Sequence, residues 1–188
     1  MTALLPRWFA HRLAALLALW LVAVASPVQA QQVELTLLRA ERADGVASLS
    51  FAVRPQLSSA VEDALRRGVP VYFVAEAQVL RPRWYWRDER IATATRTWRL
   101  SYQPLTGRWR VGLGALSQSH DTLAEALAAV SSATRWRLTE AEDLEAGQSY
   151  EIIFSWRLDA SQLPRPMQLD PGGQAGWQMG LERTLRLD

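Results

Sequence analysis

Polar and apolar residues alternate with a period of two along much of this chain, the pattern of strands that bury one face and wet the other. Val33, Leu35 and Leu37 share one parity, and Leu49, Phe51 and Val53 share one parity of the next segment. Tyr150, Ile152, Phe154, Trp156 and Leu158 alternate with Glu151, Ser155, Arg157 and Asp159, with Ile153 alone breaking the rule. Near the C-terminus Trp177, Met179, Leu181, Leu185 and Leu187 form one face, interrupted by Arg183, while Gln178, Glu182, Thr184, Arg186 and Asp188 form the other. Such alternation predicts antiparallel sheet with one wet face. Residues 69–80 are apolar on both parities, Val69, Val71, Phe73, Ala75, Ala77 and Val79 against Tyr72, Val74 and Leu80, which predicts a central strand covered on both sides. Continued further, that parity would aim Arg81 and Arg83 into an apolar layer, at a cost no core bears without partners. Pro82 is therefore expected to mark a bulge, bend or strand end.

Two segments switch to helical spacing. Ser59-Ala60-Val61-Glu62 and Thr122-Leu123-Ala124-Glu125 both fit a capping box, in which hydroxyl and carboxylate satisfy amides at a helix start. The first continues with Val61, Ala64 and Leu65 on one face and stops at Gly68 with Pro70 beyond; the second places Leu123, Ala126, Leu127 and Val130 on one face. Pro104-Leu105-Thr106-Gly107 predicts the turn of a hairpin over residues 90–113, and Gly172-Gly173 a loop. These elements predict a mainly β fold: a single antiparallel, sandwich-like domain of about eight strands carrying two short helices, over residues 31–188. The alternative is an α+β fold with one large curved sheet under the helices.

Residues 1–30 stand apart. Arg7, His11 and Arg12 precede the apolar run of residues 13–25, and Ser26-Pro27-Val28-Gln29-Ala30 follows, the three-part layout of a cleaved secretory signal peptide. The run is shorter than the roughly 20 residues that span a membrane, although an uncleaved inner-membrane anchor is the alternative to cleavage after Ala30. Export to the periplasm is the expectation. The leader also changes the charge balance, because it takes two of the 21 arginines and none of the 19 acids. The remainder is formally neutral, so the high isoelectric point does not argue for a nucleic-acid binder, and none is expected as partner. A chain that is 49% hydrophobic and 21% charged, without cysteine, is neither collagen-like, disordered nor disulfide-stapled.

Four Trp-Arg-aliphatic triplets stand in strand context: Trp98-Arg99-Leu100, Trp109-Arg110-Val111, Trp136-Arg137-Leu138 and Trp156-Arg157-Leu158. Their uneven spacing excludes a fixed repeat. Strand alternation alone places the tryptophan and aliphatic in the core and the arginine outside. A sharper reading concerns residues 81–90, RPRWYWRDER. Residues 81–110 hold eight arginines against two acids, and residues 121–159 eight acids against three arginines. The two segments either form opposite faces or pair with each other. Arginine offers bidentate hydrogen bonds to carboxylate or phosphate and tryptophan a stacking surface, so Arg81, Arg83, Trp84, Trp86 and Arg87 are the candidate contact face. The expected partner is an envelope protein, with an anionic glycan or lipid headgroup as the other possibility.

Catalytic groups are scarce. His120 is the sole histidine after the leader, and its neighbours Ser119 and Asp121 cannot form a triad by adjacency, because consecutive strand side chains point apart. There is no thiol nucleophile, and no zinc, phosphate-loop, dinucleotide or nucleophile-elbow motif, so no metal or cofactor is expected. A carboxylate pair, Glu76 with Asp88 or Glu89, is the one route to an envelope carbohydrate-active hydrolase, and it needs the two acids facing each other across a cleft.

The stretch VEDALRRGVPVYFVAEAQVLRPRWYWRDERIATATRTWRLSYQPLTGRWRV, followed by GLGALSQSHDTLAEALAAV and LDASQLPRPMQL, resembles the domain of unknown function (DUF) 4390 family of exported proteobacterial proteins. The resemblance covers nearly all of residues 31–188, with R-P-R-W-Y-W and L-S-Q its more specific segments. It implies residence in a Gram-negative envelope and, through genes neighbouring those of its members, an accessory role beside a membrane sensor kinase. It brings no catalytic or binding residue with it. The reading that emerges is a non-catalytic periplasmic interaction module; the alternatives are the hydrolase and a domain that binds lipid or glycan.

Overall fold

The computed structural model describes residues 33–43, 46–85, 88–140, 143–145, 147–163 and 174–187. The expected leader, the Gly172-Gly173 loop, Trp86 and Arg87 lie outside the described residues. Nine strands in two antiparallel sheets are described, one more than the sequence predicts. β1 (Val33–Ala43), β2 (Val46–Pro55) and β7 (Ser132–Arg137) form a three-stranded sheet in the order β1-β2-β7. β3 (Val71–Arg81), β4 (Glu89–Gln103), β5 (Arg108–Leu113), β6 (Leu116–His120), β8 (Tyr150–Leu158) and β9 (Gly180–Leu187) form a six-stranded sheet in the order β6-β5-β4-β3-β8-β9. The sheets face each other across Phe51 of β2, whose ring lies 4.7 Å from Phe154 on β8 and 6.4 Å from Trp98 on β4. The sandwich is thus formed by two sheets, and the single curved sheet is set aside.

Period-two burial is clearest in β8, where Tyr150, Ile152, Phe154, Trp156 and Leu158 are all buried. Opposite them, β3 buries Val71, Phe73, Ala75, Ala77 and Val79. The other face of β3 is only half covered: Val74 is buried, while Tyr72, Glu76, Gln78 and Leu80 reach solvent in part. All four Trp-Arg-aliphatic triplets follow the alternation, with tryptophan and aliphatic buried and Arg99, Arg110, Arg137 and Arg157 exposed. One arginine departs from the rule. Arg96 shares the inward parity of Trp98 and Leu100 and lies 5.2 Å over the Trp136 ring of the facing sheet, where desolvation lowers its pKa.

The helices sit where capping chemistry places them, with one correction. α1 (Ser59–Arg66) is capped by Ser58, not Ser59: the Ser58 hydroxyl accepts from the Val61 amide at 3.3 Å and donates to the Gly176 carbonyl at 2.8 Å. Glu62 turns instead to Arg66, one turn on. Gly68, at φ +84°, ends the helix, with Gly68 and Val69 amides closing on the Leu65 and Ala64 carbonyls. In α2 (Leu123–Val130), Thr122 accepts from the Glu125 amide and Glu125 reaches back to the amide of Asp121. A four-residue helix α3 (Gln174–Trp177) and a single 3₁₀ turn (Ala160–Gln162) add to the two predicted helices, so Trp177 precedes the last strand rather than beginning it.

β1 supplies the second correction. Its register with β2 shifts between Leu35 and Leu37, with Thr36 as the extra residue bonding through its hydroxyl to the Ala52 carbonyl. That bulge inverts the parity beyond it. Leu37 is therefore 48% exposed, and Leu38 and Ala40 turn towards the core in its place.

Candidate functional site

The β3–β4 hairpin brings Arg81, Arg83 and Trp84 of the predicted contact residues towards its tip. β3 ends at Arg81, ahead of Pro82, in keeping with that proline as a strand end. Arg81 keeps the inward parity of Val79 but emerges at the rim of the sandwich, where acids meet it: Glu145 at 2.9 Å and Glu89 at 3.5 Å. Its guanidinium also lies 5.7 Å over the Tyr150 ring, which Arg42 approaches at the same distance. Hydrogen bonds to Tyr150 and Glu145 hold its pKa above the ordinary arginine value, so it stays charged. Arg83 bonds Glu89, and its amide donates to Asp88 at 3.2 Å. Both arginines thus have acid partners within the chain.

The aromatic residues at the tip do not share this engagement. Trp84 is 93% exposed and Tyr85 67% exposed, and their rings meet edge to face at 5.0 Å. Each turns a large apolar surface to water where burial would be favourable by a few kcal/mol, about 1.5–3 kcal/mol for a side chain of this class. Beside them β4 has an open edge. It pairs with β3 from Glu89 to Leu100, but β5 joins it only from Trp98 onward, so residues 92–97 have a strand on one side alone among the described residues. The charge segregation is resolved partly by pairing, since Arg81–Glu145 and Arg108–Asp121 join the basic segment to the acidic one.

The catalytic candidates are not assembled. Glu76 faces Thr95 in mid-strand and accepts from Gln78 at 2.7 Å, whereas Glu89 faces Arg81. Five strand positions separate the two acids, roughly 17 Å, and the odd offset puts them on opposite faces of the sheet. Asp88 lies beyond Glu89 again. This geometry overturns the hydrolase pair, which requires carboxylates roughly 5–10 Å apart on one cleft. His120 pairs in register with Trp109, while Asp121 binds Arg108 at 2.8 Å and Ser119 faces Arg110, so no triad forms. Among the described residues no cluster of His, Asp and Glu is arranged to hold a metal ion, and no helix is long and apolar enough to cross a membrane.

One arrangement escaped the sequence reading. Arg99 and Arg110 lie together on the outer face of the six-stranded sheet, beside a groove lined also by Tyr72, Ser101, Gly112 and Ser117. The signal was available: a hairpin turning at residues 104–107 aligns Arg99 with Gly112 and Arg110 with Ser101.

Neither a curated protein nor a solved structure matches the chain. The sequence pattern of the family described as Domain of unknown function (DUF4390) matches residues 30–186, the whole of the two-sheet domain but its last residues. The chain belongs to that family.

Proposed function

We propose that this protein is a non-catalytic interaction module of the bacterial envelope, docking a protein partner through the tip of the β3–β4 hairpin. The observation that carries this reading is the exposed Trp84–Tyr85 pair, with Arg83 beside it. Aromatic residues flanked by arginine are the usual anchors of protein interfaces, because they exchange a large hydrated surface for a desolvated pocket. Trp86 and Arg87 follow directly in the sequence and are proposed to take part in the same contact. Arg81 supports the hairpin from beneath through Glu145 and Tyr150 rather than meeting the partner. An exported, periplasmic location and an accessory role beside an envelope sensor kinase accord with the leader and with the family.

The test is affinity capture from crosslinked envelope with the wild-type protein and a Trp84→Ala/Tyr85→Ala variant, each captured protein then titrated in purified form. A partner that binds the wild type and loses tenfold or more affinity for the variant supports the reading. Equal binding by both proteins would remove the hairpin tip from the interface.

A further inference from the structure

The outer face of the six-stranded sheet carries a groove of about 500 Å³ at the end of β3 remote from the hairpin tip. Tyr72, at its edge, lies nine strand positions from Arg81, roughly 30 Å. Gly112 stands directly opposite Arg99 on the adjacent strand, and Arg110 directly opposite Ser101. Arg99 and Arg110 are therefore diagonal neighbours on one face, roughly 7–8 Å apart. Their guanidinium groups have the reach to share one ligand.

Two observations mark this as a place for an anion. Neither arginine side chain makes a hydrogen bond or an ion pair among the described residues. No acid is among the groove's lining residues, and two acids of neighbouring segments are engaged elsewhere: Asp121 holds Arg108 at 2.8 Å, and Asp159 accepts from the Ser161 amide and hydroxyl at 3.1 and 2.6 Å. Two cations side by side without an acid repel each other, and an anion bridging them relieves that repulsion with charge-assisted hydrogen bonds.

The remaining lining narrows the class of ligand. Gly112 is not required by its backbone, for its φ lies outside the left-handed region and an added Cβ would meet only ordinary contacts at 3.8–3.9 Å. What the missing side chain supplies is depth at the groove floor. Tyr72 faces Arg99 across the strand pair, and its hydroxyl, with those of Ser101 and Ser117, offers donors and acceptors around the two charges. With Leu116 and Ala115 as its apolar part, that lining suits a sugar ring, polar at its edge and apolar on its face, better than an acyl chain, and the volume is that of a small-ligand site. We propose that this groove binds an anionic saccharide, its carboxylate or phosphate bridging Arg99 and Arg110 and its hydroxyl groups meeting Tyr72, Ser101 and Ser117. The site is separate from the hairpin tip and stands whether or not that tip docks a protein.

Calorimetric titration of the protein expressed from its full-length gene, with glucuronate, glucose phosphate, glucose and inorganic phosphate as probes, tests this. The expected result is saturable binding of glucuronate or glucose phosphate at least tenfold tighter than glucose. Arg99→Gln and Arg110→Gln should each weaken it tenfold or more, Gly112→Val should block it, and Trp84→Ala should leave it unchanged. Absence of saturable binding by either charged sugar overturns the proposal, as does binding that both arginine substitutions leave intact. Inorganic phosphate bound as tightly as glucose phosphate would overturn the saccharide assignment. The two arginines are exposed, so their glutamine variants are expected to retain the fold, and the result does not depend on the glycine variant.

Discussion

Trp156 performs two roles that a smaller aromatic cannot combine. Its ring stacks on Phe73 at 5.1 Å in the centre of the core, and its indole Nε1 donates to the Val130 carbonyl at 3.1 Å, tying the end of α2 to β8. Trp156→Phe removes volume and leaves that buried carbonyl without its donor, so urea unfolding should show a loss of about 2–4 kcal/mol. Arg81 and Arg83 separate in the same way despite their sequence kinship. Arg81→Gln should lower the melting temperature measurably, because the less exposed Arg81 guanidinium leaves the Tyr150 ring as well as two acids, whereas Arg83→Gln, at the exposed tip and with no ring contact among the described residues, should leave it unchanged. Arg96 adds a third case. Desolvation lowers its pKa, so folding disfavours its charged form and the stacking on Trp136 offsets that cost. Arg96→Met should be neutral or stabilising in urea melts; a loss above about 1 kcal/mol would show that the cation–π contact outweighs the desolvation. The tryptophans were legible because period-two alternation dictates their side of the sheet. Arg96 was not, since nothing local reveals that Trp136 of another sheet lies beneath it.

At the level of elements, the sequence signals failed where a distant contact decided between neighbours one residue apart. Ser58 and Ser59 are both competent caps, and the glutamate at position 62 favours the second. The Gly176 carbonyl, 118 residues away, selects the first by accepting from Ser58. Ser58→Ala should therefore cost about 1–2 kcal/mol in chemical denaturation, and Ser59→Ala less than about 0.5 kcal/mol. The β1 bulge belongs to the same class. One extra residue at Thr36 exchanges Leu37 for Leu38 on the buried face, and neither composition nor periodicity marks the place. Strand identity, the hairpin turn at Gly107 and the Gly68 stop were readable, because each depends on residues within one turn. The arginine pair at positions 99 and 110 needed one further step, the alignment of two strands across their turn.

At the level of the molecule, the two charge-rich segments meet among the described residues at Arg81–Glu145 and Arg108–Asp121, and these pairs are solvent-accessible. Such pairs contribute little and are screened by salt. Raising ionic strength should therefore change the unfolding free energy by less than about 1 kcal/mol, while partner capture through an arginine-flanked tip should weaken more visibly. The sandwich supplies stability and the tip of the β3–β4 hairpin turns its side chains to water, which is why tip substitutions and core substitutions are expected to separate binding from folding. The half-paired stretch of β4 has its own signature in solvent isotope exchange. Along residues 92–97, amide protons turned towards β3 should persist in deuterated water while those turned outward vanish early, giving alternate slow and fast positions. Slow exchange at every position would reveal a strand laid along that side, so the hydrogen atoms of this one segment would register whether the edge is vacant or occupied.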